Sequence, residues 1–371
     1  MILIVVIGFI AIAYVCLITA FTLGFKSALH QQDENFEAKI KLSIVVAFRN
    51  EETNLSPLLN SMSNQTLSQD LYELILVDDH STDNSLSTIQ SVISKFQSLK
   101  ILTLPVDFNG KKTALAYGIG QASNPIIVFT DADCIPSKFW LETISISAGK
   151  GADFMIGAVI MDPINGFTRR LQSLEYSSLM ASAMGSFGIG HPVIASSANL
   201  AFRRDLLNID AESMNTSVAS GDDMFLLHTA KRLKGCRLEF LGDERVIVQT
   251  STESTLAMAL KQRKRWASKS IHYKDFDTIV TGFIVLIFNF LLAGLLIVSI
   301  FDIKYLFYFF ILLAIKSFAD YPLINRYLKF TGQHALLKVF IPLQLMYPIY
   351  VVYSFFTGIL IKTSWKGRSI K

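Results

Sequence analysis

The sequence predicts an α/β domain with a mostly parallel sheet flanked by helices, placed between apolar helices at the two ends of the chain. Within residues 41–252, short β-branched runs alternate with helical patterns, which is typical of a parallel sheet covered on both faces. Residues 2–23 form an apolar run without a charged residue, and the last third of the chain is again apolar. A helix of about 20 apolar residues is long enough to cross a bilayer.

The first apolar run predicts a retained membrane anchor over residues 1–24. The alternative, a cleaved signal peptide, would need a basic segment before the run and a small-residue cleavage site after it, and neither is evident. Lys26, Lys39 and Lys41 follow the run. Because basic residues concentrate on the cytoplasmic side of membrane proteins, the domain that follows is predicted to be cytoplasmic.

Four strands and three helices are predicted in the first half of the domain. The strands lie at residues 43–48, 74–77, 101–104 and 126–130, and the helices at 55–62, 85–96 and 113–122. Ligands bind beyond the carboxyl ends of the strands in such sheets. Acidic residues follow the first, second and fourth strands, so we expect them to meet at one edge.

A basic amphipathic segment, residues 253–275, is predicted to lie on the membrane surface after the domain. The apolar region that follows, residues 276–362, predicts two to three spans. They are expected at residues 278–300, 305–319 and 339–361. Pro342 and Pro348 could break the last of them into tilted or re-entrant halves.

The end of the chain, residues 363–371, is a basic tail. Its positive charges are those of Lys366, Arg368 and Lys371, and Lys362 directly precedes it. By the same charge rule, the tail is expected on the cytoplasmic side.

Composition argues against several classes of protein. The net charge of +4 is too small for a nucleic-acid-binding surface. Cys16, Cys134 and Cys236 have no paired spacing, so they build neither a disulfide framework nor a zinc site. No Gly-x-Gly-x-x-Gly follows the first strand, which argues against a dinucleotide-dependent oxidoreductase. The glycine-rich, arginine-containing loop expected of a nucleotidyltransferase is also missing there.

Asp131 and Asp133 are the central candidates because they directly follow the apolar strand at residues 126–130. Carboxylates two residues apart at a strand end can converge on one Mg²⁺ or Mn²⁺. Such an ion can bridge the phosphates of a nucleoside diphosphate and stabilise it as a leaving group. A catalytically inactive scaffold is disfavoured, since acidic residues at several strand ends repel one another without a cation.

Two further motifs are candidates for donor binding. Asp78 and Asp79 follow the second strand, and Asp79 is the better candidate for contacting the nucleoside, while Asp83 reads as a helix cap. A pair of lysines opens the third predicted helix, where a lysine can reach a diphosphate beside the helix N-terminus. We assign that role to Lys112.

A second acidic pair, Asp222 and Asp223, precedes the apolar residues 224–227. A carboxylate near a desolvated site can act as general base for an acceptor hydroxyl. The alternative for this pair is a helix N-cap.

These motifs, taken in order, resemble the family 2 glycosyltransferases with a GT-A fold. The resemblance covers residues 43–270 and rests on Ala47-Phe48-Arg49-Asn50-Glu51, Val77-Asp78-Asp79-His80-Ser81-Thr82-Asp83, Gly110-Lys111-Lys112, Asp131-Ala132-Asp133, Gly221-Asp222-Asp223 and Gln262-Arg263-Lys264-Arg265-Trp266. The last is similar to the Q-x-x-R-W signature of membrane-bound synthases. Ala47 and Phe48 stand where the family usually has proline and tyrosine, and Asp222 where it often has glutamate.

The resemblance implies a role for each matched residue. Asp223 would be the catalytic base, and Asp131 and Asp133 would hold the metal and the donor phosphates. The resemblance also implies that Asp79 contacts the nucleobase of the donor. Substrate-binding roles are implied for four more residues: Glu51, Asp78, Lys112 and Asp222. The diphosphate and the acceptor sugar are assigned to Gln262, Arg265 and Trp266.

The expected activity is inverting transfer of a sugar from a nucleotide-sugar donor, a UDP-sugar by expectation. The acceptor is expected to be lipid-linked or a saccharide, at the cytoplasmic face of the cell membrane and in contact with membrane lipids, with Mg²⁺ or Mn²⁺ as cofactor. The alternative is a processive polysaccharide synthase.

Overall fold

The computed structural model describes residues 2–29, 37, 39–162, 166–205, 221–360, 363–365 and 368–370. The chain divides into two compact units, each built from separate chain segments. Unit 1 comprises Met1–Ala28, Pro163–Ile194 and Thr252–Ser364, and unit 2 comprises Leu29–Asp162, Ala195–Ser251 and Trp365–Lys371. The domain boundaries derived from the sequence remain a prediction.

The helices and strands are numbered in chain order. The helices are α1 (Ile2–Ala28), α2 (Leu55–Ser63), α3 (Ser85–Gln90), α4 (Lys111–Gly120), α5 (Trp140–Gly149), α6 (Phe167–Gly188), α7 (Asp222–Arg232), α8 (Leu256–Ser268), α9 (Phe276–Val298), α10 (Lys304–Phe330) and α11 (Phe340–Leu360). The strands are β1 (Leu42–Phe48), β2 (Tyr72–Asp78), β3 (Leu99–Thr103), β4 (Ile126–Phe129), β5 (Ile135–Pro136), β6 (Phe154–Gly157), β7 (Val159–Asp162), β8 (Leu200–Arg203), β9 (Leu238–Leu241), β10 (Val248–Ser251), β11 (Thr363–Trp365) and β12 (Arg368–Ile370).

Unit 2 is built on a seven-stranded sheet of order β3-β2-β1-β4-β8-β6-β9. Strands β1 to β4 run parallel, while β8 is antiparallel to both β4 and β6. A smaller sheet, β5-β10-β7, completes the unit. The predicted fold class, α/β with a mostly parallel sheet flanked by helices, is confirmed.

The central strands are apolar on both faces, which explains their position. Every residue of β2 is buried, and in β1 only Ala47 is partly exposed. Parallel strands that are covered on both faces show this near-continuous apolar pattern. The register sets Phe48 opposite Asp78, so the residues that follow β1 and β2 lie side by side.

Unit 1 contains, among the described residues, four helices long and apolar enough to cross a membrane. They cover Val5–Ala28, Phe276–Val298, Lys304–Phe330 and His334–Leu360. The expected break at Pro348 is wrong: α11 continues through Pro348, and Pro342 lies in its first turn. Proline is tolerated in a first turn because the N–H that it lacks has no partner within the helix there. Of the tail charges, Lys362, Lys366 and Lys371 lie outside the described residues.

A buried polar cluster joins three of these helices. Asp320 of α10 accepts hydrogen bonds from Lys316 Nζ at 2.6 Å, from Gln344 Nε2 of α11 at 3.0 Å and from Tyr14 Oη of α1 at 2.7 Å. Lys316 Nζ also donates to Gln344 Oε1 at 2.8 Å and lies 4.6 Å from the ring centre of Tyr347. Each member of the cluster thus has a polar partner, which a charge among apolar helices requires.

We expect Lys316→Leu to lower the free energy of unfolding by about 3 kcal/mol, because it leaves the Asp320 carboxylate buried without its cation. Thermal unfolding in detergent micelles measures this. Lys329→Leu is the matched control, since Lys329 is an exposed lysine on the same helix, and should change stability by less than about 0.5 kcal/mol. Equal midpoints for the two variants would show that the pair adds nothing to stability.

Candidate active site

The loops that follow β1 and β2 are tied to each other at the carboxyl edge of the sheet. The backbone N–H of Asn50 donates to Ser81 Oγ at 3.0 Å, and that of Thr82 donates to Asn50 Oδ1 at 2.7 Å. The Glu52 N–H donates to Asp83 Oδ2 at 3.1 Å. Asn50 has a left-handed backbone with φ of 52°, a conformation that asparagine tolerates better than most residues. Part of the acidic sequence thus builds the loops rather than the site.

The two carboxylates after β2 have different surroundings. Asp78 is buried and accepts from the Ser81 N–H at 2.9 Å, a bond that shapes the turn. Asp79 accepts at Oδ2 from the N–H of Gly110 at 3.1 Å, directly before α4. Burial raises the pKa of Asp79, and the Gly110 N–H and Arg49 oppose that shift. Asp79 is therefore the member of the pair that faces the residues before α4.

Asp83 has the structural role that its sequence position predicts. Its Oδ1 accepts from the backbone N–H of Ser85 at 3.1 Å and from the Ser85 hydroxyl at 2.6 Å, at the start of α3. His80, to which no role is assigned, has its Nε2 3.0 Å from the carbonyl oxygen of Phe108.

Lys111 contacts acidic residues on two sides. Its Nζ lies 2.6 Å from Asp131 Oδ1, 2.9 Å from Ser197 Oγ and 3.8 Å from Asp222 Oδ2. Burial alone would lower the pKa of Lys111, but Asp131 and Asp222 outweigh burial and hold it above its usual value. The ammonium group is therefore charged at neutral pH.

Lys112 occupies a separate environment. It is buried, and its Nζ lies 4.6 Å from the ring centre of Phe225 on α7. The predicted helix began at residue 113, whereas α4 begins at Lys111. Within a helix, consecutive side chains point about 100° apart. The sequence therefore located a lysine at this helix start without deciding which of the two reaches the carboxylates.

Asp131 and Asp133 lie where β4 ends, beside Cys134. One ligand atom from each of these three residues lies within 4.8 Å of the others. Burial raises the pKa of Asp133 to about 6, with further contributions from the negative charges of Asp131 and Glu51. Burial likewise raises the pKa of the Cys134 thiol, so Cys134 stays protonated.

This donor set fits a hard divalent cation. The carboxylates of Asp131 and Glu51 raise the pKa of Asp133, and the charge of Lys111 opposes them. A divalent ion would relieve this repulsion, and carboxylate oxygens are the ligands that Mg²⁺ and Mn²⁺ prefer. Asp131 and Asp133 would hold the ion, while the protonated Cys134 would not.

The second acidic pair begins α7. Gly221, with φ of 92°, precedes the helix, and Asp222 and Asp223 occupy its first turn. Asp222 is buried against Lys111, whereas Asp223 is partly exposed and accepts from the Met224 N–H at 2.8 Å. The charge of Asp223 also raises the pKa of Lys111, so both carboxylates lie near that lysine. The alternative for this pair is a helix N-cap. The N-cap position of α7 is Gly221, which has no side chain to accept a hydrogen bond.

Sequence reasoning did not identify the residues that hold Ser197 against Lys111. Thr130 Oγ1 donates to the Ala198 carbonyl at 2.9 Å. Asn199 donates to the carbonyls of Ala158 and Val246 at 3.0 and 2.9 Å and accepts from Trp140 Nε1 at 2.8 Å. These contacts join residues 41 to 68 positions apart, so no local pattern indicates them.

The Q-x-x-R-W residues lie on α8 in unit 1. Gln262 Nε2 donates to Glu253 Oε1 at 3.2 Å, and Trp266 packs against Tyr176 of α6 with ring centres 5.8 Å apart. Arg265 and Trp266 are both partly exposed. Their substrate-binding role remains a prediction from the motif.

Comparison with known proteins finds a family for part of the chain. Residues 43–209 match the model of the family described as Glycosyl transferase family 2. Glycosyltransferase AglE of Haloferax volcanii is 29% identical over 205 residues, which cover 54% of this chain and 64% of AglE. Undecaprenyl-phosphate 4-deoxy-4-formamido-L-arabinose transferase of Yersinia enterocolitica is 36% identical over 147 residues, 39% of this chain and 44% of that protein. The chain thus spans less than two thirds of these relatives.

Among solved structures, the mannosyltransferase PcManGT from Pyrobaculum calidifontis, in complex with GDP-Man and Mn²⁺, has a TM-score of 0.52 to this chain. The identity is 16%, and the likeness covers 95% of this chain and 98% of PcManGT. At that identity, the likeness shows the fold. The fold is GT-A-like. Asp79, Lys111, Asp131 and Asp133 lie within residues 43–209, the stretch that matches the model of Glycosyl transferase family 2.

Proposed function

We propose that the chain transfers a sugar, with inversion, from a nucleotide-sugar donor to a lipid-linked or saccharide acceptor at the cytoplasmic face of the cell membrane. The observation that carries this proposal is the contact of Lys111 with both Asp131 and Asp222 at the carboxyl edge of the sheet. One charged lysine there sits among carboxylates whose repulsion favours a bound cation. An anionic diphosphate and a divalent ion together suit that balance of charge.

The relatives and the apolar helices support the choice of substrates. The related Yersinia protein is named for transfer to undecaprenyl phosphate, which is a lipid. PcManGT was crystallised with GDP-Man and Mn²⁺. Four helices of membrane-spanning length would keep this chain beside a lipid acceptor.

For donor binding, we assign the nucleoside to Asp79 and the diphosphate to Lys111. The Asp79 carboxylate, held by the Gly110 N–H, can accept from a nucleobase N–H. Lys111 lies in the first turn of α4, where the helix N-terminus also favours an anion. Its ammonium has three donors, and the bonds to Asp131 and Ser197 orient it.

A divalent cation held by Asp131 and Asp133 would neutralise the charge that builds up on the departing nucleoside diphosphate. The protein's own part is to keep both carboxylates ionised and oriented. Lys111 bonds to Asp131, and its positive charge opposes the rise in the Asp133 pKa.

We assign deprotonation of the acceptor hydroxyl to Asp223. As the hydroxyl oxygen bonds to the anomeric carbon, the bond from that carbon to the diphosphate breaks, and Asp223 takes the hydroxyl proton. Asp223 is the more exposed member of its pair, whereas Asp222 is buried beside Lys111. We assign the acceptor sugar and the diphosphate to Gln262, Arg265 and Trp266, following the motif.

Purified protein in lipid nanodiscs tests the proposal. It is incubated with a panel of UDP- and GDP-sugars, with and without an undecaprenyl-linked saccharide that offers an acceptor hydroxyl, and release of nucleoside diphosphate is measured. We expect release with one sugar class and faster release with the lipid. If no donor is cleaved under either condition, while the protein remains folded, the proposed function is wrong.

The cytoplasmic position of unit 2 is a separate prediction, based on Lys26 in the last turn of α1 and on Lys39 and Lys41 after the helix. In a Cys236→Ser background, Gln97→Cys adds a thiol at an exposed position. A membrane-impermeant maleimide should label this thiol only after the cells are opened. Labelling in intact cells would reverse the assigned orientation.

A further inference from the structure

One basic residue of α8 is buried although the helix is amphipathic. Arg263, the residue after Gln262 in the Q-x-x-R-W motif, is 8% exposed, whereas Lys261 is exposed and Arg265 is partly exposed. A buried guanidinium is costly unless a carboxylate and further donors or rings surround it. The residues around Arg263 therefore indicate why its side chain is buried.

Arg263 is surrounded by a carboxylate and by aromatic side chains, among them Tyr350 of α11, with which it forms a hydrogen bond. Its guanidinium forms an ion pair with Glu175 of α6, which is also buried. The guanidinium carbon lies 4.1 Å from the ring centre of Trp266 and 5.9 Å from that of Tyr176. The Tyr176 and Trp266 rings are themselves in contact, inclined at 50°. Arginine favours such stacked positions because its cation is planar and weakly hydrated.

A second helix presses on α8 at the same place. A Cβ atom on Gly358 of α11 would lie 2.8 Å from Ala267 Cβ, 3.0 Å from Ser268 N and 3.1 Å from the Lys264 carbonyl oxygen. The backbone of α8 next to Trp266 therefore has no room to shift toward α11. Because α8 packs between α6 and α11, the orientation of its side chains depends on Arg263 and on the residues that contact Arg263.

We propose that Arg263 and Glu175 are positioning residues, which hold the Trp266 ring, and with it the neighbouring Arg265, in the orientation that sugar transfer requires. The indole cannot rotate without losing its contact with a buried, paired cation. Trp266 nevertheless remains partly exposed, so the ring keeps surface for a ligand. The effect on transfer rests on the proposed function, whereas the effect on the ring does not.

Three variants separate positioning from simple stabilisation. Arg263→Lys keeps the charge and loses the planar stack, and Glu175→Gln leaves the arginine buried without its anion. The double variant Glu175→Gln/Arg263→Gln removes both charges, so it should recover the stability that the single Glu175→Gln loses. Lys261→Gln, an exposed change one residue before the motif, is the matched control and should transfer within twofold of the wild type.

We expect transfer to fall by about 10- to 100-fold in Arg263→Lys and in the double variant, since a small misplacement of a binding group has effects of this size. The loss should appear in kcat and in the KM values of acceptor and donor, because Arg265 and Trp266 are assigned to the acceptor sugar and to the donor diphosphate. If the double variant recovers transfer along with its thermal midpoint, the pair only stabilises the fold and the inference is wrong.

A readout without substrate keeps this inference separate from the proposed function. Acrylamide quenching of Trp266 fluorescence, isolated by subtracting the spectrum of the matched Trp266→Phe protein, should increase in Arg263→Lys and in the double variant. Unchanged quenching in both would overturn the positioning role. A wild-type protein that cleaves no donor would instead refute the proposed function and leave the quenching result to decide on positioning.

Discussion

Asp223→Asn is expected to slow sugar transfer by about 10²–10⁴-fold, the usual effect of removing a positioned general base. The amide keeps the shape of the carboxylate but accepts no proton at neutral pH. Donor nucleotide should bind almost normally, because Asp223 is not among the residues assigned to the donor. Single-turnover transfer rates and nucleotide titration of the same protein measure the two effects.

Asp222→Asn is the informative companion. Asp222 is buried 3.8 Å from Lys111, so its loss should disturb the charge balance around that lysine rather than the proton transfer itself. If Asp223→Asn transfers at the wild-type rate while Asp222→Asn is inactive, the base has been assigned to the wrong carboxylate. If both remain active, the pair only begins α7, and the mechanism fails.

Donor binding is expected to require a divalent cation, and Asp131→Ala should abolish that requirement together with activity. Removing one group that stabilises the charge of the transition state typically lowers the rate by about 10²–10³-fold. Titration of UDP and GDP with Mn²⁺, with Mg²⁺ and with EDTA measures the dependence directly. We expect weak binding in EDTA for the wild type, and binding of Asp131→Ala that is insensitive to the added metal.

Asp70→Ala provides the matched control, because Asp70 is an exposed aspartate that precedes β2, at the opposite edge of the sheet. It should retain the metal dependence of the wild type. Equal nucleotide affinity of the wild type in EDTA and in Mn²⁺ would argue that Lys111 alone balances the carboxylates, without a metal.

The acidic edge could be predicted because the relevant information is local. Each of β1, β2 and β4 is a short apolar run followed directly by polar residues, and parallel strands end at the same edge. The pattern therefore located Glu51, Asp79 and Asp131 together before any contact was known. The pairing of β8 between β4 and β6 could not be predicted in this way, since it depends on antiparallel contacts with residues more than 40 positions away.

The contacts between individual side chains could not be predicted from the sequence either. The predicted second span ends at residue 319, directly before Asp320, whereas α10 continues to Phe330. The charges of Lys316 and Asp320 are four residues apart, so they meet on one helix face and neutralise each other. The choice between Lys111 and Lys112 likewise depended on the first residue of α4, which sequence patterns locate only to within a few residues.

The bond between Tyr14 and Asp320 has a consequence for how the protein is made. The two residues are 306 positions apart, so ribosomes working at about 5–20 residues per second make α10 roughly 15–60 s after α1. During that interval α1 can already pack on α6, where Gly24 lies close to Gly185, and Tyr14 can stack on Phe288 of α9, but the Tyr14 hydroxyl lacks its acceptor. The Lys316–Asp320 pair would enter a bilayer as a neutralised unit within one helix, which lowers the cost of insertion. A nascent chain interrupted before α10 would therefore carry a packed first helix whose Tyr14 hydroxyl is still without Asp320.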